Sequence, residues 1–133
     1  MKWHFPLATS FARSVLPAEL PRADAIYNIS HGAMVLKALE LGDEKLLRNA
    51  MQDRIHQPYR KKLIRDYDKI QALIRTTGAA FCLSGAGPTL LCITRNPGLE
   101  EKLARKLHDI TEANWQMLPL HIEFQGARVI AEE

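Results

Sequence analysis

Two glycines one residue apart stand between two short apolar runs, in Leu83-Ser84-Gly85-Ala86-Gly87-Pro88-Thr89. Gly85 and Gly87 permit positive φ and let another molecule come close to the main chain. Pro88 fixes its own φ and restricts Gly87 before it. A minimal hairpin would need only Asn-Gly or Gly-X. Taken alone, the loop fits two readings: main-chain contact with a ligand, or a tight strand connection built of small residues. Ser84 can donate a hydrogen bond to a phosphate or to the main chain. Arg13 lies in a loop after an N-terminal apolar stretch, and Arg60 lies at a helix break made by Pro58. Arginines at irregular backbone suit forked contacts to a carboxylate or phosphate. Either one, taken singly, is more simply a solvated surface residue.

The remaining titratable groups carry weaker signals. His31 and His56 could do acid–base work, but no carboxylate or nucleophile is arranged around them in sequence. His4, His108 and His121 are weaker still. Asp53 could orient Arg60 or cap a helix, and capping is the simpler role. The chain has no nucleophile elbow, zinc-protease pattern or phosphate-loop lysine. Gly85-Ala86-Gly87 lacks the third glycine and the following helix of a dinucleotide site.

These residues must be positioned by a chain of 133 residues, the size of one domain. It is 47% apolar and carries a formal net charge of +3. That charge is too small and too evenly spread to mark a nucleic-acid surface. No apolar run approaches the ~18 residues of a membrane helix, and Met1 to Pro6 has no signal-peptide pattern. Cys82 and Cys92 fall in buried-strand patterns without metal-ligand spacing. They read as reduced core thiols of a cytoplasmic protein rather than as a disulfide.

Periodicity places the elements. Trp3 to Thr9 reads as a strand, demoted to an edge or bulge by Pro6. Ser10 to Pro17 reads as a short turn or helical turn stopped by Pro17. Asp24 is the expected N-cap of a helix to Leu41, with Ile26, Ile29, Ala33, Leu36 and Leu39 on its core face. Gly42 stops it and Asp43 starts the next helix, with Leu46, Leu47, Ala50 and Met51 on one stripe. A third helical pattern carries Leu63, Tyr67, Ile70 and Ile74 and ends at Gly78. The runs flanking the glycine loop read as strands buried on both faces. Asn96-Pro97 reads as an N-cap with proline at N1, ahead of a Leu99, Leu103, Leu107, Ile110 stripe. Alternation from Leu118 to Phe124 and on to Ile130 reads as a last strand bent at Gly126. Four strands with helices on one face make a two-layer α+β sandwich.

Four blocks, taken together and in order, resemble the homoserine kinases of the GHMP small-molecule kinase family. They are Thr9 to Pro17, Asp24 to Asn28, Met51 to Arg60 with its Asp…His-Gln-Pro-Tyr-Arg pattern, and Leu83 to Thr89. The last alone indicates only a GHMP kinase; the Ala12-Arg13 and Tyr59-Arg60 segments narrow it. Arg65 departs from a frequent proline. The resemblance implies a ferredoxin-like C-terminal domain with an antiparallel sheet. It implies that Thr9, Arg13 and Arg60 contact L-homoserine, the arginines holding its carboxylate. It places Ser84, Gly85, Ala86 and Gly87 beside the phosphoryl-transfer centre. It implies ATP-dependent phosphorylation of the homoserine hydroxyl in threonine biosynthesis, with ATP and Mg²⁺ bound mainly by an N-terminal domain.

That domain's Pro-x-x-x-Gly-Leu-Gly-Ser-Ser-type loop has no match in the chain. Residues 1–133 are therefore expected to be the C-terminal domain alone, inactive unless a separate N-terminal half joins it. A surface made for that half, with Trp3, Phe5 and the loop flanks as candidates, is expected to favour a homo-oligomer. The alternatives are another GHMP kinase, or a ferredoxin-like module that binds an amino acid without catalysis. Nucleic-acid binding is disfavoured because the strands are aliphatic.

Overall fold

The computed structural model describes residues 1–3 and 7–129. Phe5, Pro6 and Ile130, and the side chain of Trp3, lie outside what is described. The sheet is built on the glycine-loop hairpin. Strands β2 (Ala80–Ser84) and β3 (Thr89–Ile93) pair antiparallel from Ala80 opposite Ile93 to Ser84 opposite Thr89. Two short strands, β1 (Lys2–Trp3) and β4 (Trp115–Gln116), extend it in the order β2-β3-β1-β4, with every neighbour antiparallel. This is the expected ferredoxin-like order, in which the first strand sits between the hairpin and the last.

Alternation along the hairpin divides the core. Phe81, Leu83 and Leu90 face α5 (Tyr67–Arg75) and α6 (Leu99–Ile110), and pack on Tyr67, Ile70 and Ile74 from one and Leu99, Leu103 and Leu107 from the other. Cys92 belongs to this side, whereas Cys82, paired with Leu91, points the other way. The two thiols thus stand on opposite faces and cannot be bridged. The Ala80 and Ile93 end of the second face is covered by α2 (Arg22–Leu41) and α3 (Glu44–Ala50), through Ala38 and Leu47. That cover stops short, so Leu91 is exposed and β3 is not buried on both faces.

Several boundaries differ from expectation, each for a local reason. Thr9 is not in a strand; it opens α1 (Thr9–Ser14). Helix α2 is capped by Pro21, whose carbonyl accepts from Asp24 and Ala25, so Asp24 lies inside the first turn. The third helical pattern is broken: a 3₁₀ turn at Lys61–Leu63 gives way to extended Ile64, and Asp66 takes φ 62° before α5. Asp66 is held there by the N–H groups of Glu112 and Ala113, which donate to its carboxylate. Ile64 rather than Leu63 is therefore the buried residue. Helix α6 starts at Leu99 because Asn96 Oδ1 accepts from Gly98 N in an Asx turn, leaving Pro97 ahead of the helix.

Two larger differences concern partners. Residues 118–129 form no strand, and Leu120 is 82% exposed, because alternation makes a strand only where a neighbour completes the ladder. The Ile26, Ile29, Leu36 and Leu39 stripe of α2 faces outward; the helix packs inward through Tyr27, Met34, Val35 and Ala38. A helix apolar on two sides can be read in either phase. Ile70→Ala is expected to cost about 2–5 kcal/mol, against less than about 0.5 kcal/mol for Leu120→Ala, by urea denaturation.

Candidate functional site

The site grows from a carboxylate. Asp53 Oδ1 accepts from Asn28 Nδ2 at 2.6 Å and from Ile55 N at 2.7 Å. Its Oδ2 accepts from His56 N at 3.0 Å and Gln57 N at 2.6 Å. These bonds gather residues 53–57 and start α4 (Gln57–Arg60), with Pro58 in its first turn. Burial pushes the Asp53 carboxyl up, but the Asn28 amide and the three main-chain donors outweigh it and hold the group below its ordinary range. Asp53 thus caps a helix and does not touch Arg60.

Gln57 then ties α4 to the sheet. Its Oε1 accepts from Leu83 N at 2.9 Å, on the outer edge of β2, and from Tyr67 Oη at 3.2 Å. Its Nε2 donates to the Met51 carbonyl at 3.3 Å. Burial above all pushes the Tyr67 phenol up to about 12, so it stays a neutral donor.

Arg60 closes the arrangement. Its Nε donates to the Ala12 carbonyl at 3.0 Å and its Nη1 to the Gly85 carbonyl at 3.1 Å. One guanidinium therefore joins α1 to the glycine loop, and no described residue engages Nη2. Gly85 and Gly87 take φ 62° and 93°, as expected of the loop. They differ in surroundings. A Cβ on Gly87 would meet Ile64 Cδ1 and Leu7 Cδ2 at 3.3 Å, whereas one on Gly85 would meet nothing within 4 Å. The Ser84 carbonyl accepts from Gly87 N, and its side chain is exposed.

A cleft of about 480 Å³ opens here, lined among others by Asn28, His31, His56, Gln57, Arg60 and Gly85. Arg60 and Gly85 of the expected site residues line it. Ser84, Ala86 and Gly87 complete the loop at its rim without lining it. Thr9 and Arg13 stand exposed on α1, either side of the buried Ala12 whose carbonyl Arg60 holds. The arginines thus share one anchor without sharing the cleft wall. His31 is fixed by stacking on Tyr27 at 3.6 Å, with its Nδ1 2.8 Å from the Tyr27 carbonyl. Arg54 lies over the Tyr27 ring at 3.8 Å. Cys82 also lines the cleft, but burial first and Asp53 second push its thiol up to about 11, which suppresses the thiolate. Sequence reasoning missed Gln57 and Asn28 as organisers; the only signal was their place in the blocks Met51 to Arg60 and Asp24 to Asn28. Among the described residues no three His, Cys, Asp or Glu side chains gather to hold a metal ion.

Comparisons with known proteins bear on this site. A family model described as GHMP kinases C terminal matches residues 35–112. The chain is 50% identical over 133 residues to homoserine kinase from Nostoc punctiforme, covering 94% of this chain and 42% of that protein. It is 39% identical over 129 residues to homoserine kinase from Leifsonia xyli, covering 96% and 40%. The chain thus spans about two fifths of the curated relatives it matches. A crystal structure of homoserine kinase from Cytophaga hutchinsonii superposes with a TM-score of 0.74 at 22% identity, over 84% of this chain and 37% of that one. At that identity it shows the fold.

Two outcomes test the geometry. Gly85→Ala is expected to lose about 1–2 kcal/mol from positive φ alone, and Gly87→Ala more, from φ and contact together, in denaturation midpoints. The lowered Asp53 carboxyl stabilises the fold above the ordinary carboxylate range, and that contribution disappears as pH falls through the folded value. Asp53→Asn should therefore be less stable than the parent at neutral pH and flatter in stability below pH ~5.

Proposed function

We infer what this chain does from one premise: it belongs to the GHMP kinases and carries their C-terminal domain. We propose that it supplies the substrate side of a homoserine kinase, which transfers the terminal phosphoryl group of ATP to the L-homoserine hydroxyl in threonine biosynthesis. The observation that carries this reading is the double anchorage of Arg60 on the Ala12 and Gly85 carbonyls. Two fixed acceptors set the plane of the guanidinium before any ligand arrives, so its remaining edge is a preorganised fork for a carboxylate. Arg13, on the helix anchored by that contact, adds a second cation, and Thr9 on the same helix adds a hydroxyl. With the carboxylate held there, the substrate's hydroxyl end lies towards the glycine loop, where Gly85 lets the main chain come close.

In the transfer the homoserine hydroxyl oxygen bonds to phosphorus as the bond to the leaving ADP breaks, and the hydroxyl proton passes to solvent. No phosphate-loop pattern occurs in the chain. We propose that ATP and Mg²⁺ are bound mainly by a nucleotide-binding half outside these 133 residues, and that this chain alone does not turn over. Among the described residues no helix is long and apolar enough to cross a membrane. We place the reaction in the cytoplasm, where the two thiols remain reduced.

A second reading is an amino-acid-binding module without catalysis, favoured by a cleft that the chain forms by itself. Calorimetry with L-homoserine, with and without ATP, separates the two: tight binding indifferent to ATP selects the module. For the kinase, the chain is mixed with the portion of the Nostoc punctiforme enzyme it does not span. Phosphohomoserine is expected only in the mixture, and turnover by the chain alone would exclude the division of labour. In that assay Arg13→Ala, an exposed change that leaves the core intact, should raise KM for homoserine about tenfold or more, the loss of one charge-assisted hydrogen bond. Arg60→Lys should not recover the parent KM, because an ammonium cannot bond both carbonyls and still present a fork.

A further inference from the structure

The sheet is uneven at one end. Strand β1 is two residues long and β3 is five, so β3 runs on past it. Lys2 stands opposite Thr89 on one side and Gln116 on the other. Met1 is therefore level with Leu90: its nitrogen donates to the Leu90 carbonyl and its carbonyl accepts from Leu90 N, both at 2.9 Å. In an antiparallel ladder the main-chain groups turn to the same side at every second residue. The N–H and carbonyl of Cys92 thus also turn towards the line of β1, at a level that β1 does not reach.

The residues after β4 supply a matching edge. In the same register Leu118 is level with Leu91 and Leu120 with Ile93. Two strand spacings, about 10 Å, separate these lines, which leaves room for one strand between them. The alternation that turns Met1 to β3 turns Lys2 and Gln116 to each other. Carried on from Gln116, it turns the N–H groups of Leu118, Leu120 and Ile122 to the gap and positions 119, 121 and 123 to the outer edge. Pro119, which has no N–H, falls at an outer position, where none is needed. The side chains give an independent sign. Trp115 and Met117 pack into the core under α5 and α6. Leu118, Leu120 and Ile122, all exposed, belong in an extended strand to the opposite face, where Leu91 is exposed as well. Glu123 then ends the run by accepting from Gln125 N.

We propose that this gap receives an extended strand from the portion of a homoserine kinase that this chain does not span, in line with β1 and antiparallel to both β3 and residues 118–122. This occupant rests on the kinase reading, in which such a portion completes the enzyme. Its main chain bonds to Cys92 on one side and to Leu118 and Leu120 on the other, and residues 118–122 become the outer strand. Its side chains level with Leu91 and Ile93 are apolar, because they stand in one row with Leu118 and Leu120. Main-chain bonds supply the affinity of such strand addition, and alternate side chains supply its selectivity.

The isotope-labelled chain is mixed with the unlabelled remaining portion of the Nostoc punctiforme enzyme, and amide hydrogen exchange is followed by nuclear magnetic resonance. Exchange at Cys92, Leu118 and Leu120 should slow about tenfold or more, while His121 and Glu123 stay fast. Leu120→Pro deletes an N–H turned to the gap and should weaken the complex about tenfold. His121→Pro, at an outer position, should leave it unchanged. Both sites are exposed and outside helix and strand, so both variants should keep the parent denaturation midpoint. Uniform protection, proline variants that behave alike, or absence of a complex overturns the proposal. So does the same alternating protection in the chain alone as its concentration rises, since a second copy would then fill the gap. Turnover in the mixture without alternating protection overturns the strand and leaves the kinase reading standing. Alternating protection without turnover supports the strand and removes that reading.

Discussion

A four-residue helix cannot hold itself. Nucleating a turn costs more than one or two main-chain hydrogen bonds return, so Gln57–Arg60 exists because Asp53 binds the donors that lead into it. The cleft depends on this constraint. Because α4 is fixed, Gln57 reaches the outer edge of β2 and Arg60 reaches two carbonyls far apart in sequence. Asn28 links the same carboxylate to α2. A single partly buried acidic group thus sets the relation between α1, α2, α4 and the hairpin. Its depressed titration is the electrostatic signature of that work.

The glycine loop is then more than a strand connection, although it is also that. Its four residues link the paired ends Ser84 and Thr89, and Gly87 has no room for a side chain. Gly85 has room, but its conformation excludes one at low cost, and its carbonyl is an anchor for Arg60. The two glycines answer different demands: packing under the loop at one, and main-chain access at its outer face at the other. The tight-connection reading and the ligand reading therefore apply to neighbouring residues of one loop.

The sheet shows how unevenly a small α+β domain is covered. On one face α5 and α6 make a continuous core with Phe81, Leu83 and Leu90. On the other, α2 and α3 reach only the Ala80 and Ile93 end, and the space left beside them is the cleft. Helix α2 is apolar towards the sheet and apolar away from it. The first surface builds the cleft wall, and the second is exposed.

The hairpin around Gly85 and Gly87, the stop at Gly42, the cap at Asp43 and the helix break at Pro58 were legible in the residues. So were the stripes of α3 and α6. Each depends on local chemistry: a backbone angle only glycine takes easily, a missing N–H, a carboxylate within reach of the next turn, or a period matching one helix face. The last strand was not legible, because it forms at Trp115–Gln116 ahead of the alternating run. The Arg13 and Arg60 pair was singled out, and the resemblance supplied its meaning. What the sequence could not determine were relations between distant segments. It could not choose which apolar side of α2 faces the core, nor show that residues 118–129 lack a ladder partner. It could not show that Asp66 is pinned by the end of α6, or that Arg60 reaches the Ala12 and Gly85 carbonyls while Arg13 points to solvent. Those outcomes depend on which surfaces meet once the chain is folded, and no local pattern records the neighbour that will satisfy a hydrogen bond or cover an apolar face.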